Sequence, residues 1–199
     1  MSAFVHAIAL TGSIATGKSS AAKLFASWGF EIIDLDAVTH QVLDTQREKI
    51  SALFGTECVT DHGVDRTALG RQVFGDTDKR KCLESLLHPL IRQEAEQRAE
   101  KLDQQGKPYL VDIPLFFELE SYPIRESIVV YTPREIQLQR LMQREGYTMQ
   151  EALQRIDAQI DIEEKRKRAT YVIDNSGDLA QLERECLRVK DMILAKNAL

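Results

Sequence analysis

The sequence predicts an α/β protein, a parallel five-stranded sheet flanked by helices with a helical region inserted between two strands. Two observations predict it. Apolar runs of strand length at 5–10, 30–35, 109–113, 127–131 and 170–174 are separated by segments of helical periodicity. Residues 37–105 are mostly helical in pattern and too long for a simple crossover, so they read as an inserted helical subdomain.

The first run, Val5 to Leu10, enters Gly12-Ser13-Ile14-Ala15-Thr16-Gly17-Lys18-Ser19. This is G-x-x-x-x-G-K-S, the phosphate-binding P-loop pattern, which makes the predicted fold P-loop NTPase-like. Composition alone would produce such a match in roughly 0.7% of chains of this length, so it is specific. Glycines let backbone N–H groups turn around phosphate oxygens, Lys18 reaches the outer phosphates and the Ser19 hydroxyl can ligate magnesium. Ala21, Ala22, Leu24, Phe25 and Trp28 follow at helical spacing, so a helix N-terminus also faces the anion.

In the second strand candidate, Asp34 and Asp36 lie near the carboxyl end, where open parallel sheets bind ligands. Asp36 reads either as a cap for the helix from Ala37 or as a carboxylate facing an acceptor hydroxyl. Within 37–105, Gly55 opens a polar turn region through Gly63, Asp65-Arg66 starts a short helix, and His88-Pro89 crosses an apolar helical face. The insert reads as either a second-substrate pocket or passive packing. The run Tyr109 to Ile113 carries Asp112, which can order magnesium water beside a P-loop. Pro114 to Glu118 follow, with the aromatics expected to pack and Glu118 open to a site or surface role.

After Ser127 to Tyr131, Pro133 suits a helix entry, and Arg140 and Arg144 share a face of that helix. They are either a phosphate clamp or ordinary surface arginines. Thr148 and Glu151 have capping-box spacing, and the helical pattern then runs into the mixed-charge segment 163–168, read as solvated, with Lys165 a candidate bridge to phosphates. Asn175-Ser176-Gly177 turns after the fifth strand, beside a nucleotide base or as a plain turn. Asp178 caps the last helix.

Hydrophobic residues are 43% and charged residues 29%, as in an ordinary globule, and the net charge of −5 disfavours a nucleic-acid duplex as partner. Three scattered cysteines show neither a disulfide framework nor metal spacing, which favours a reducing, cytoplasmic setting. No stretch is long enough to span a bilayer, so no membrane partner is expected, and no obligate protein partner is predicted.

Taken together these residues resemble the dephospho-coenzyme A kinase family over nearly the whole chain. The resemblance rests on the P-loop with Ile33-Asp34-Leu35-Asp36, Asp65-Arg66 with Leu69, Leu83-Glu84 with His88-Pro89, and Pro114 to Glu118. Gln137 with Arg140 and Arg144, Gln159 with Lys165 and Ala169, and Ile173-Asp174-Asn175 complete it. It implies ATP and Mg2+ as cofactors, dephospho-coenzyme A as acceptor and transfer of the γ-phosphoryl group to its ribose 3′-hydroxyl. It implies a nucleotide-binding core at 1–36, 106–133 and 169–199, an acceptor-binding region at 37–105 and a lid at 134–168.

By the same resemblance, Asp36, Lys18 and Arg140 are catalytic. Gly12 through Ser20, with Ser20 included, bind the nucleotide together with Arg140, Arg144 and Asn175. Asp36, Arg66, His88, Pro114 and Glu118 lie on the acceptor side, and Ser19 and Asp112 on the metal side. Two departures stand out: Ala15 replaces a common glycine, which requires a φ that is not strongly positive, and Thr170 replaces a common aspartate. The rivals are another small-molecule P-loop kinase and a noncatalytic ATP-binding protein. A GTP switch lacks its N-K-x-D segment.

Overall fold

The computed structural model describes residues 3–119 and 121–197. The chain divides into two compact units, one comprising residues up to Ile33 with those from Ala99 onward, the other Asp34–Arg98. In chain order the elements are β1 (Ala7–Gly12), α1 (Lys18–Ser27), β2 (Ile32–Asp34), α2 (Leu35–Thr45), α3 (Arg47–Phe54), β3 (Val59–Thr60), β4 (Gly63–Val64), α4 (Arg66–Val73) and α5 (Thr77–Asp103). They continue with β5 (Tyr109–Asp112), α6 (Phe116–Leu119), β6 (Glu126–Tyr131), α7 (Arg134–Glu145), α8 (Met149–Asp157), α9 (Ile162–Arg168), β7 (Tyr171–Asp174) and α10 (Leu179–Asn197).

The first unit is built on the expected five-stranded parallel sheet, in the order β2-β5-β1-β6-β7. Strand β1 is central: Leu10 sits opposite Asp112 on β5, and Gly12 opposite Val130 on β6. After β1 the chain leaves toward β2, and after β6 it leaves toward β7, the other way. The gap between the carboxyl ends of β1 and β6 is therefore the switch point, where open α/β sheets bind ligands. The P-loop begins there.

Both faces of the sheet are covered, which is why its strands read as nearly continuous apolar runs. Along β6, Ile128 and Val130 face one side and Val129 and Tyr131 the other, as a two-residue period requires. On the first side, Leu182, Cys186, Val189 and Ile193 of α10 make a stripe at spacings of four, three and four, packed with Ala21 and Phe25 of α1. Phe25 meets Trp28 and Phe30 edge-on, with ring centroids 5.8 and 5.2 Å away. Burial pushes the Cys186 thiol up to about 12, which rules it out as a nucleophile at neutral pH.

Several expectations are revised. Asp34 and Asp36 do not share a strand face, because β2 ends at Asp34 and α2 starts at Leu35. Asp34 rather than Asp36 is the cap, accepting a hydrogen bond from Ala37 N at 3.0 Å. Part of the polar turn region at 55–63 is a small antiparallel hairpin, Val59 opposite Val64, made possible by Gly63 at φ 140° and held by Asp44 Oδ1, which accepts from Val64 N at 2.9 Å. Pro89 lies inside the 27-residue α5 without ending it. Its missing N–H leaves the Ser85 carbonyl without a helical donor, but Ser85 and Pro89 are exposed, so water can serve there.

The helical stretch from Thr148 is two helices. The capping box at Thr148 and Glu151 starts α8, and Asp161 caps α9 by accepting from Glu163 N at 2.8 Å. Asp178 caps α10 as expected, accepting from Gln181 N at 2.8 Å. Thr170 has a role no carboxylate is needed for: its hydroxyl accepts from Ser127 N at 3.0 Å and fastens the start of β6 beside β7.

Phe25→Ala should lower stability by about 3–5 kcal/mol, as large-to-small changes in a closed core do. Leu194→Ala, on the exposed side of α10, should change it by no more than about 0.5 kcal/mol. Thermal unfolding of the two variants checks the difference.

Candidate active site

The P-loop's conformation follows from where its carbonyls go. The Gly12 carbonyl accepts from Lys165 Nζ at 3.0 Å, and the Ala15 carbonyl from Arg140 Nη1 at 3.5 Å. The Thr16 carbonyl accepts from Asn175 Nδ2 at 2.8 Å and Thr132 Oγ1 at 3.2 Å. The Gly17 carbonyl starts α1, accepting from Ser20 N and Ala21 N. In a trans peptide the C=O and N–H of one unit point opposite ways. Carbonyls held against the protein therefore aim the following N–H groups away from it. Among the described residues, no protein group takes the N–H of Ala15, Gly17, Lys18 or Ser19. With the N-terminus of α1 beside them, these groups make a concave anion receptor.

Two glycines are needed here for steric reasons. A Cβ on Gly12 would lie 2.6 Å from Thr16 Oγ1. Gly17 has φ 87°, and a Cβ there would lie 2.2 Å from Asn175 Nδ2. Ala15 breaks the sequence-based rule: its φ is 61°. That angle is within the left-handed region an L-residue can enter at roughly 1–2 kcal/mol. The methyl is not idle, since Ala15 and Ile14 pack against Leu141, Ala152 and Ile156 of α7 and α8. That contact offsets the backbone strain.

Charge is concentrated at the same edge. Lys18 Nζ forms an ion pair with Asp112 at the end of β5, both side chains mostly buried. Thr11, one residue before the loop, donates to the Pro114 carbonyl at 3.2 Å and ties β1 to the segment after Asp112. Ser19 and Ser20 are exposed in the first turn of α1. The Arg140 guanidinium also donates to the carbonyls of Asn175 at 2.9 Å and Gly177 at 3.5 Å, so it bridges the P-loop and the turn after β7.

A cavity of about 520 Å³ opens beside the loop, lined among others by Ala15, Gly17, Ser20, Arg140, Arg144 and Asn175. The structure thus brings half of the expected nucleotide-binding residues around one space. Arg144 is exposed, with Nε on Glu145 Oε1 at 2.7 Å. Leu179 and Gln143, on the same cavity, were not singled out from sequence, where nothing distinguishes them from ordinary helix residues.

Two expected site residues have unexpected settings. Lys165 is fully buried, not a solvated cation, and its ammonium lies 2.6 Å from Glu118 Oε1. Asn175 is buried and braces the loop through its side-chain amide. Sequence reasoning also missed Thr132, and it marked Gln159 only through the resemblance. The Gln159 side chain accepts from Ile14 N at 2.8 Å.

Pro114 is half-buried beside Asp112, in the first unit. Asp36, Arg66 and His88 belong to the second unit, exposed on α2, α4 and α5 respectively.

Gly17→Ala and Gly29→Ala separate the two demands on a glycine. Gly29 has nearly the same φ, 85°, with nothing within 4 Å of an added Cβ. Gly29→Ala should lose only about 1 kcal/mol of stability, whereas Gly17→Ala, which must displace Asn175, should lose about 2–4 kcal/mol. Thermal unfolding, with phosphate-ligand affinity measured beside it, checks this. Only Gly17→Ala should weaken the ligand.

Comparison with known proteins agrees with this geometry. The family model described as dephospho-CoA kinase matches residues 6–181. The chain is similar to the dephospho-CoA kinase of Sulfurimonas denitrificans, 52% identical over 98% of this chain and 97% of that protein. It is similar to the one from Wolinella succinogenes, 42% identical over 97% of each. A solved dephospho-CoA kinase from Campylobacter jejuni is 35% identical and superposes with a TM-score of 0.73 over 94% of this chain and 97% of that one. The chain belongs to the dephospho-CoA kinase family.

Proposed function

We propose that this chain transfers the γ-phosphoryl group of ATP to the ribose 3′-hydroxyl of dephospho-coenzyme A, giving coenzyme A and ADP, the final step of coenzyme A synthesis. The observation that carries the reading is the braced P-loop with Lys18 and Asp112 at its mouth, in a chain of this family. The acceptor oxygen attacks the γ-phosphorus, the bond from that phosphorus to the β,γ-bridging oxygen breaks, and ADP leaves with the bond's electrons. The hydroxyl proton goes to Asp36, which also orients the acceptor. Little covalent chemistry is asked of the protein, so positioning and charge stabilisation dominate.

Gly12 to Ser20 hold the phosphates, and Lys18 exchanges Asp112 for the outer phosphate oxygens. Arg140 stabilises charge on the transferring group by giving up carbonyl contacts on its exposed side. Arg144 and Asn175 flank the base side of the cavity. Arg66, His88 and Pro114 serve the acceptor, with residues 37–105 as the acceptor-binding region and 134–168 as a lid. The enzyme is proposed to work in the cytoplasm. Among the described residues no helix is long and apolar enough to cross a membrane.

Magnesium fits the donors present. Ser19 Oγ and the Asp112 carboxylate are hard oxygen ligands, and Mg2+ takes only one or two protein oxygens beside phosphates and water. Such a site needs no dense acidic cluster, and none of three or more His, Cys, Asp or Glu occurs among the described residues. The ion would neutralise charge on the β- and γ-phosphate oxygens.

ATP turnover with dephospho-coenzyme A should exceed turnover with adenosine, AMP, shikimate or pantothenate, and product mapping should find the new phosphate on the 3′-oxygen. Phosphorylation of another panel member in its place would reject the acceptor. Asp36→Asn should lower kcat by about 10²–10⁴-fold, the usual range for a general base, with ATP affinity nearly unchanged. Lys18→Ala should damage both ATP binding and turnover, and an active variant would reject the site.

A further inference from the structure

Segment 163–168, Glu-Glu-Lys-Arg-Lys-Arg, is exposed at every position except Lys165. Arg166 pairs with Glu163, and Lys167 with Glu164, on the outside of α9. Lys165 turns inward and is 0% exposed, and its ammonium has two contacts, Glu118 Oε1 at 2.6 Å and the Gly12 carbonyl at 3.0 Å. Burying a lysine is expensive unless its charge is matched, and an apolar side chain of the same length would serve packing better. What the ammonium adds here, and an apolar side chain cannot, is a hydrogen bond to a carbonyl. Gly12 is the first residue of the P-loop, and holding its carbonyl outward turns the Ser13 N–H the other way.

The surroundings of Lys165 point the same way. Glu118 Oε1 also accepts from Ile160 N at 3.2 Å, and Gln159 takes Ile14 N, so the link between α8 and α9 is pinned at two adjacent residues beside the loop. Glu118 Oε2 is buried without a partner. The carboxylate, which the resemblance put on the acceptor side, is thus spent on the lysine and the linker, the pattern of a counter-ion, and not on a solvent-facing acceptor contact.

We propose that Lys165 is a positioning residue of the phosphate loop, with Glu118 as its counter-ion: the buried ammonium fixes the Gly12 carbonyl and thereby sets the affinity of the loop for nucleotide phosphates. The proposal rests on the nucleotide-binding half of the function above and is independent of the acceptor.

The test separates positioning from plain stabilisation. Lys165→Met leaves Glu118 buried and alone, so it should unfold at a clearly lower temperature. Lys165→Met combined with Glu118→Gln removes both charges at nearly constant volume and should recover most of the lost Tm, since isosteric neutral replacement of a buried pair is often close to neutral. Calorimetric titration with ADP and magnesium is the second readout. The double variant should bind ADP about tenfold more weakly than the unaltered chain, the loss expected for one charge-assisted hydrogen bond. In turnover, the KM for ATP should rise with kcat little changed.

A double variant with recovered Tm and unaltered ADP affinity would overturn the proposal. So would one that stays as unstable as Lys165→Met, because the Gly12 contact would then serve the fold and not the ligand. If the unaltered chain itself bound no ADP, the function proposed above would fail instead.

Discussion

The structure depends on one constraint: the carbonyls of the P-loop must be held by the protein so that its N–H groups are left for a ligand. Peptide planarity makes the two inseparable. A loop of this kind has no ladder partner of its own: the Ser13 carbonyl is served from within the loop by Thr16, and the carbonyls of Gly12, Ala15 and Thr16 take donors from other elements. Those donors come from the whole length of the first unit. Thr132 follows β6, Arg140 is on α7, Lys165 on α9 and Asn175 follows β7. The binding loop spans residues 12–19, yet its shape is specified by residues more than a hundred positions away.

The sheet makes this possible. With β1 at the centre, the loop after it is within reach of segments that follow β5, β6 and β7. Asp112 and Thr132 stand at or just past strand ends, and Asn175 immediately follows β7, so the register of the ladder sets their spacing to the loop. Five strands buried on both faces provide a rigid reference, and helices α1 and α10 lock one face. Lys18 depends on the same frame. Its pairing with Asp112 keeps a cation and a carboxylate mostly buried together, and either charge alone in that position would be costly to leave unmatched.

Much of this was legible in the sequence, for local reasons. The five apolar runs became the five strands, and the glycine-lysine-serine spacing marked the loop, because both signals lie within a few consecutive residues. Capping was legible too, at Thr148 and Asp178. What failed was long-range or depended on exposure. Lys165 was open to a role at the phosphates within a run of four cations, and only the fold shows that its side chain turns inward, to the Gly12 carbonyl and Glu118. Gln159 and Thr132 carry no motif of their own. Their partners lie across the sheet, so the chemistry that selects them is absent from their neighbourhood in the chain.

Ala15 shows how the loop and the helices after β6 are joined. A glycine at this position would relieve the φ of 61°, but it would remove the only side chain the loop tip can offer beside Ile14. With alanine, the tip adds an apolar contact to the α7–α8 pair, on the opposite side from its N–H groups. Arg140 reaches the Ala15 carbonyl from the same helix α7 that supplies Leu141 to that contact. The residue that strains the backbone is thus held by a polar and an apolar contact to one element. Any movement of α7 must carry the loop tip with it or break both contacts together. Part of the coupling between α7 and the phosphate loop therefore runs through Ala15. The modest strain at Ala15 persists because the packing around it determines where the methyl must go.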